Sequence, residues 1–308
     1  MNINVSKHKW KCMYTNANSV IGKMDELRLK VFNSNYDIIA ITESWAREDV
    51  TDAELKINGY VMYRKDKAVD NRVKGGGVLL YVKEELCSCP LLHLTNDGFQ
   101  DTVWCRIEAD DLPVVVGVCY RSMSSSRHNN DSLLQMLEMA AQQGIRSRLL
   151  IFGDFNYPEI DYVNYKVEGG TDTDANKLLN KTNDLFLHQH IKEWTRCRSG
   201  QQPSTLDYVL TDEDNVIQEV SYTPPLGKSD HVCISLNYIK QEPESEAAST
   251  TYDFWKGDYV KIREELQRID WEHLLANKGT DEAWTCFRDK VTSLTELYIP
   301  LKTYPDGS

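Results

Sequence analysis

No apolar run in the 308 residues approaches the roughly 18 consecutive positions that a bilayer-spanning helix needs, although hydrophobic residues make up 41% of the chain. The opening stretch, Met1 to Trp10, is polar and lacks the apolar core of a secretory signal. These two absences exclude a membrane-embedded product and point to an intracellular one. Cysteine pairing is missing as well. The eight cysteines are scattered, and several sit inside apolar runs such as VVVGVCY and HVCISL. Cys87 and Cys89 are close, but no second pair lies nearby to complete a zinc site. Reduced thiols within a core are therefore expected, and a disulfide scaffold is excluded. Basic charge is in short supply, with a net charge of −12. That argues against indiscriminate binding of polyanions. It leaves room for a local site, because a metal site needs clustered carboxylates and a local basic rim can still hold phosphate. Roughly half of the excess negative charge lies after Lys240. Internal repeats and low-complexity tracts are absent too, which excludes a solenoid or array.

What is present is an alternation of short apolar runs and amphipathic stretches. Strands are predicted over Lys9 to Thr15, Asp37 to Thr42, Val78 to Val82, Val103 to Ile107 and Val114 to Tyr120. Further strands are predicted over Leu149 to Phe152, Leu206 to Leu210 and Val232 to Leu236. Helices are predicted over Met24 to Phe32, with Leu27, Val31 and Phe32 inward, and over Ser132 to Gln142, with Leu133, Met136, Leu137 and Ala140 inward. A third helix is predicted over Asn176 to Leu187. Several strands are joined by links too short for a crossover helix, so the sheets must be partly antiparallel. Two mixed sheets packed face to face, with helices outside, fit the pattern. The acidic, apolar-poor segment QEPESEAASTT reads as a linker. The expected organisation is one α/β domain over 1–238, a linker over 239–251 and a helical segment over 252–308. In that last segment Tyr259, Ile262, Leu266 and Ile269 fall at helical spacing, as do Trp284, Phe287, Val291 and Leu294.

The acids and amides cluster at strand ends. Glu43 follows DIIAIT, Asp154 and Asn156 end LLIFGDFN, Asp207 opens DYVL, and Asp230 and His231 precede VCISL. Asn16 and Asn18 follow the first strand. Taken singly, Glu43 is an ordinary turn former, Asp154-Phe155-Asn156 an Asx-turn, and Ser229-Asp230-His231 a hydrogen-bonded loop. Taken together and in this order, they suit phosphodiester hydrolysis. Magnesium takes hard oxygen ligands and keeps several waters, so one or two carboxylates suffice to hold it. Glu43 and Asp230 are the candidate ligands, with Asn16 or Asn18 as a neutral neighbour. Asp154 and Asn156 would orient the attacking water. His231, oriented and charged by Asp207, would donate to a nonbridging oxygen, and Tyr120 could donate a second hydrogen bond. Arg121, next to Tyr120, is a phosphate-contact candidate. Arg64, Lys65, Lys67, Arg72 and Lys74 form a basic stretch before the glycines, to be read as a solvated loop or as an arm along a DNA backbone. Trp45 is either packing or a stacking group at the rim.

The segments NAN (16–18), ITESW (41–45), YR (120–121), GDFN (153–156), LDY (206–208) and SDH (229–231) resemble the endonuclease/exonuclease/phosphatase superfamily. Within it, YTNANSVIGKMDELR, DIIAITESW, GGGVLLYV and GDFNYPEIDY are similar to the apurinic-like endonuclease domain of non-LTR (LINE-type) retrotransposons, especially the chicken-repeat-like clade. The resemblance covers roughly residues 9 to 238. FWKGDYVKIREEL and IDWEHLL look like the connector that precedes reverse transcriptase in such elements.

The resemblance implies a DNase I-like, four-layered α/β sandwich with one Mg²⁺-centred site, for which Mn²⁺ would substitute. It implies nicking of double-stranded target DNA to leave a 3′-hydroxyl that primes reverse transcription. A reverse transcriptase or element RNA would then be partners, and the nucleus the place of action. By the same resemblance Glu43 is a metal ligand, His231 and Asp207 are the catalytic pair, and Asp154 with Asn156 manages the nucleophile. Asn16, Tyr120 and Asp230 complete that site, and Thr205 and Ser229 stand at phosphate-contacting positions. Asn18 stands where the repair branch often has an acid. Abasic-site repair nucleases, deadenylases and lipid phosphatases share this chemistry, so the site residues alone do not separate them. A non-catalytic, domesticated DNA- or protein-binding role is the remaining alternative.

Overall fold

A computed structural model describes residues 9–67, 75–95, 98–109, 112–143, 147–168, 170, 172–240, 250–252, 256–276 and 278–303. The chain divides into two compact units, Met1–Glu242 and Pro243–Ser308. The expected linker over 239–251 falls mostly outside the described residues, as do Arg72 and Lys74 of the basic stretch.

In chain order the first half of unit one contains β1 (Lys9–Asn16), α1 (Met24–Ser34), β2 (Ile38–Thr42), α2 (Asp52–Leu55), β3 (Tyr60–Lys65), β4 (Val78–Lys83), β5 (Ser88–Pro90), α3 (Leu92–Thr95), β6 (Thr102–Ile107) and β7 (Val114–Tyr120). Then follow α4 (Arg127–Gln143), β8 (Arg148–Asp154), β9 (Ile160–Asp161), β10 (Lys166–Val167), α5 (Asp174–Asp184), β11 (His188–Gln189), β12 (Asp207–Thr211), β13 (Ile217–Thr223) and β14 (Cys233–Ile239). Two six-stranded sheets form, with orders β13-β14-β1-β2-β4-β3 and β11-β12-β8-β7-β6-β5. Each has one parallel pair at its centre, β1 with β2 and β7 with β8, flanked by antiparallel neighbours.

The sheets pack face to face. Tyr14, Ile38, Ala40, Leu80 and Ile234 of the first meet Val103, Val116, Val118, Phe152 and Val209 of the second in one apolar layer. The outer face of the first sheet is covered by α1 through Met24, Leu27 and Val31. The outer face of the second is covered by α4 and α5 through Leu133, Met136, Leu137 and Leu178. Helix, sheet, sheet and helix thus make the expected four-layered α/β sandwich. The strands of the parallel pairs are apolar on both faces because both faces are covered, which is why IIAIT and VVVGVCY read as continuous runs rather than alternations.

Two local expectations differ. Phe32 is 84% exposed, because the stripe of α1 that touches the sheet is Met24, Leu27 and Val31, and the next residue lies about 100° further round. Cys12, Cys105, Cys119 and Cys233 are buried as free thiols, but Cys87, Cys89 and Cys197 are exposed. The edge strands β3 and β13 escaped prediction because their mixed polarity lacks a clean period.

Unit two contains β15 (Thr250–Tyr252), α6 (Tyr259–Arg268), α7 (Trp271–Leu275), α8 (Thr280–Tyr298) and β16 (Leu301–Thr303). Asp258 and Asp270 cap α6 and α7, their side chains accepting from the N–H groups of Lys261 and His273. Trp284 stacks on Phe287 at 5.9 Å between ring centroids, and Trp271 packs on the same ring at a tilt at 5.5 Å. Among the described residues no helix is long and apolar enough to cross a membrane.

Gly117 of β7 stands opposite Trp104 of β6, and a Cβ there would lie 2.3 Å from the indole. Gly117→Ala is expected to lower unfolding stability by about 1–3 kcal/mol through overpacking. Urea unfolding with an unchanged midpoint would mean that the ring has room to move.

Candidate active site

Strand register gathers the polar residues. In the first sheet the parallel pairing sets Asn16 beside Thr42, so Glu43 emerges next to Asn16 at the carboxyl ends of β1 and β2. In the second sheet Tyr120, Asp154 and Asp207 lie in one row across β7, β8 and β12. His231 precedes β14, which pairs with β1. The two rows lie along one rim of the interlayer.

The contacts across that rim form two linked clusters. Asn16 Nδ2 donates to Glu43 Oε1 at 3.0 Å and to Asp154 Oδ2 at 2.8 Å, so one amide joins two acids from different sheets. Trp45 Nε1 donates to Glu43 Oε2 at 3.0 Å. In the second cluster His231 Nδ1 lies 2.6 Å from Asp207 Oδ2, and Tyr14 donates its hydroxyl to Asp207 Oδ1 at 2.7 Å. The N–H groups of Leu206 and Asp207 both donate to Thr195 Oγ1 at 3.1 Å. Between the clusters His231 Nε2 and Asp154 Oδ2 face each other at 4.0 Å, too far for a hydrogen bond.

Loop geometry holds the acids in place. Glu43 and Trp45 adopt left-handed backbone, with φ of 50° and 56°. Their turn is held by Ser44 N–H to Gly77 O at 2.9 Å and Trp45 N–H to Gly76 O at 3.1 Å. Such residues cost about 1–3 kcal/mol each and persist where the surroundings over-determine them. Asn156, with φ of 52°, closes an Asx-turn by donating its N–H to Asp154 Oδ1 at 3.1 Å, and its Nδ2 donates to the Arg121 carbonyl at 2.7 Å.

Burial and charge set the proton affinities. Asp154 is held above the ordinary carboxylate range, first by burial and then by the Asp207 charge. Burial alone would lower His231, but the Asp207 carboxylate outweighs it and raises the imidazole to about 9. The ring is therefore a cation near neutrality, with Nδ1 donating to Asp207 and Nε2 carrying the free proton. Burial, then the Glu43 charge, raises the Tyr120 phenol far above its usual range, so it stays a donor.

The remaining sequence-predicted residues sit otherwise. Asp230 accepts from Arg196 Nε at 2.9 Å; burial would raise its carboxyl, but this hydrogen bond and charge bring it below the usual range. Asn18 uses its backbone, donating N–H to Asn16 Oδ1 at 3.0 Å and accepting from Lys23 Nζ at 3.1 Å. Arg121 is buried: Nε donates to Asn130 Oδ1 at 2.9 Å, Nη1 to the Asn156 carbonyl at 3.1 Å, and the guanidinium lies 3.8 Å from the Tyr157 ring centre. Ser229 Oγ donates to the Asn16 carbonyl at 2.7 Å and accepts the His231 N–H at 3.2 Å. Thr205 Oγ1 is turned to the Glu193 carbonyl at 3.0 Å, and the threonine on Asp207 is Thr195. Sequence reasoning passed over Thr195 because WTRC carries no motif, and over Tyr14 because an inward tyrosine inside an apolar strand reads as core.

Metal-ligand atoms of Asp154, Asp207 and His231 lie within 4.8 Å of one another. The charged imidazole of this trio is no ligand for a cation, since Nδ1 donates to Asp207 and Nε2 carries the second proton. The Glu43 and Asp154 carboxylates, joined by Asn16, are hard oxygen donors and fit a divalent cation that keeps most of its waters.

The model of the endonuclease/exonuclease/phosphatase family matches residues 2–231. A search of curated protein sequences finds no significant match. The endonuclease domain of TRAS1, a telomere-specific non-LTR retrotransposon, is similar in structure at a TM-score of 0.59 and 16% identity, over 76% of this chain and 100% of that one. The AP endonuclease LMAP from Leishmania major is similar at 0.62 and 13% identity, over 79% and 90%. A 3′ phosphatase from Neisseria bound to a product DNA hairpin is similar at 0.56 and 15% identity, over 74% and 99%. At these identities the likeness is one of fold.

Because His231 holds its proton more tightly folded than at the unfolded value of ~6.5, the ion pair's stabilisation is complete below that pH and is lost as pH rises through about 9. An NMR titration of the imidazole in the metal-free protein should show a midpoint near 9. Asp207→Asn should lower it, since burial is then opposed only by the Asp154 and Asp230 charges. A wild-type midpoint at the ordinary value would remove the charged donor from this site.

Proposed function

This chain belongs to the endonuclease/exonuclease/phosphatase family of metal-dependent phosphodiesterases, and we propose that within it the protein nicks double-stranded DNA. The observation that carries this reading is the run of contacts from Glu43 through Asn16 to Asp154, facing the His231–Asp207 pair across 4.0 Å. A hard-oxygen seat and a charged imidazole facing each other across 4.0 Å suit a scissile phosphate.

Glu43 would hold Mg²⁺, with the Asn16 amide between it and Asp154. The cation would offset charge on the phosphoryl oxygens and the leaving oxygen. Asp154, buried and with raised proton affinity, takes the proton of the attacking water. Asn156, set by its left-handed turn, keeps the Asp154 carboxylate aimed. The His231 Nε2 proton and the Tyr120 hydroxyl donate to the nonbridging oxygens as negative charge grows there. Asp207 keeps the imidazole charged, and Tyr14 and Thr195 keep Asp207 in place. Asp230, tied to Arg196, braces the loop before His231. Arg121, Ser229 and Thr205 act through backbone carbonyls that shape the same loops.

The retrotransposon wording of the motifs favours target-DNA nicking over the other family activities; the fold is shared alike with the TRAS1 endonuclease, an AP endonuclease and a 3′ phosphatase. Nicking would leave a 3′-hydroxyl from which a reverse transcriptase copies an RNA template, and the helices over 252–308 would serve as connector to such a partner. Action on chromosomal DNA implies a nuclear site. Lys65 and Lys67, at the carboxyl end of β3, are backbone-contact candidates on an otherwise acidic protein.

Conversion of supercoiled plasmid to open circles in Mg²⁺ should be abolished by chelation. Glu43→Gln or His231→Ala should slow it at least about 100-fold, the scale of losing a main charge-stabilising group. The nicks should be extended directly by a DNA polymerase. A strong preference for abasic over intact duplex would transfer the chain to repair. Binding without cutting by the wild type would leave only a DNA-binding role.

A further inference from the structure

The triplet Gly75-Gly76-Gly77, which in the sequence marks little more than the start of a strand, abuts the acids of the site. A Cβ on Gly75 would stand 2.7 Å from the Tyr120 hydroxyl and 3.2 Å from Glu43 Oε2. The triplet is itself held from the other sheet. Asp101 Oδ1, one residue before β6, accepts the Gly77 N–H at 2.8 Å.

We propose that Asp101 is a positioning residue for Glu43, acting through the Gly75–Gly77 turn. The inference rests on the reading of Glu43 as the metal seat. The chain of contacts is short. Asp101 fixes the Gly77 amide. The Gly77 and Gly76 carbonyls accept the N–H groups of Ser44 and Trp45, the two residues after Glu43. Those bonds hold Glu43 and Trp45 in left-handed backbone, which neither would adopt unaided. Trp45, so placed, reaches back with its indole N–H to Glu43 Oε2. The Asp101 carbonyl meanwhile accepts the Tyr120 N–H at 2.9 Å. One residue thus sets both the acid that holds the metal and the phenol beside it.

Among the described residues no cation lies at hydrogen-bonding distance of Asp101. Burial raises its carboxyl, and the Gly77 N–H only partly offsets that, with Lys65 and Lys67 at longer range. This carboxylate, reaching the turn from the other sheet, has its visible use among the described residues as an acceptor for one glycine amide. If that is its use, an amide oxygen serves as well. A direct metal ligand or a proton carrier needs the acid itself.

The test is Mn²⁺ binding to the full 308-residue protein by isothermal titration, beside plasmid nicking. Asp101→Ala should weaken Mn²⁺ binding about tenfold or more and slow nicking on the same scale, as loss of a partner that orients a ligand does. Asp101→Asn should restore both to near the wild-type level. Asp37→Ala serves as the stability control. Asp37 accepts Lys11 N–H and Lys83 Nζ at 2.7 Å, beside the opposite end of β2, so its loss should lower the melting temperature and leave Mn²⁺ affinity unchanged. Should Asp101→Ala not fold, Asp101→Glu, one methylene too long to cap Gly77 in place, is expected to weaken binding in the same direction. Wild-type affinity in Asp101→Ala, or a loss in Asp101→Asn equal to that in Asp101→Ala, overturns the proposal. Glu43→Gln separates the two readings. If it binds Mn²⁺ as the wild type does, the metal seat itself is misassigned; if it is weakened and Asp101→Ala is not, only the role of Asp101 falls.

Discussion

Asp207 is a fully buried carboxylate on one sheet whose hydrogen bonds come from the other. Tyr14 of β1 occupies one oxygen, and His231, at the entry to β14, occupies the second. Removing one partner of a buried charge costs about 3–5 kcal/mol, far more than an exposed ion pair is worth. The contact therefore sets the spacing of the two sheets at the rim as firmly as the apolar layer sets it behind. A second bridge lies beside it, where the Asn16 amide reaches from β1 to Asp154 of β8. The site straddles the seam between the sheets, and its geometry is only as good as their packing.

The same arrangement explains why Asp154 differs from an ordinary carboxylate. Asp154 sits without solvent near the charges of Asp207 and Glu43, so it holds a proton more readily than an ordinary carboxylate. Asp207 is compensated by a charged imidazole at 2.6 Å. Placing groups of opposed proton affinity on facing sides of one opening is a general way to run acid and base steps together. A cation held at Glu43 would further lower the cost of gathering these carboxylates.

Left-handed backbone occurs on the same rim. Glu43, Trp45 and Asn156 all have positive φ, held by the Ser44 and Trp45 N–H bonds to the glycine carbonyls and by the Asn156 N–H bond to the Asp154 carboxylate. The loops, rather than the strands, aim the acids. The strands supply the fixed points from which the loops depart, at the carboxyl ends of the two parallel pairs.

Much of this was legible in the residues. Continuous apolar runs located β2, β4, β7 and β8, since strands covered on both faces have no polar side to confuse the pattern. Strand-end acids and amides marked Asn16, Glu43, Asp154, Asn156, Asp207 and His231 because rim groups need apolar anchors behind them. Phe32 and the edge strands β3 and β13 were misjudged or missed where hydrophobicity alone does not say which face is covered. What the sequence by itself determined was which elements form and which residue types stand at their ends, both local consequences of periodicity and chain direction. What the tertiary structure alone decided was partnership: that Asp230 is spent on Arg196, that Arg121 is packed on Tyr157, that Thr195 rather than Thr205 touches Asp207, and that a glycine triplet lines the acids. Partnership depends on distances between segments far apart in the chain, and the packing of the two sheets sets those distances.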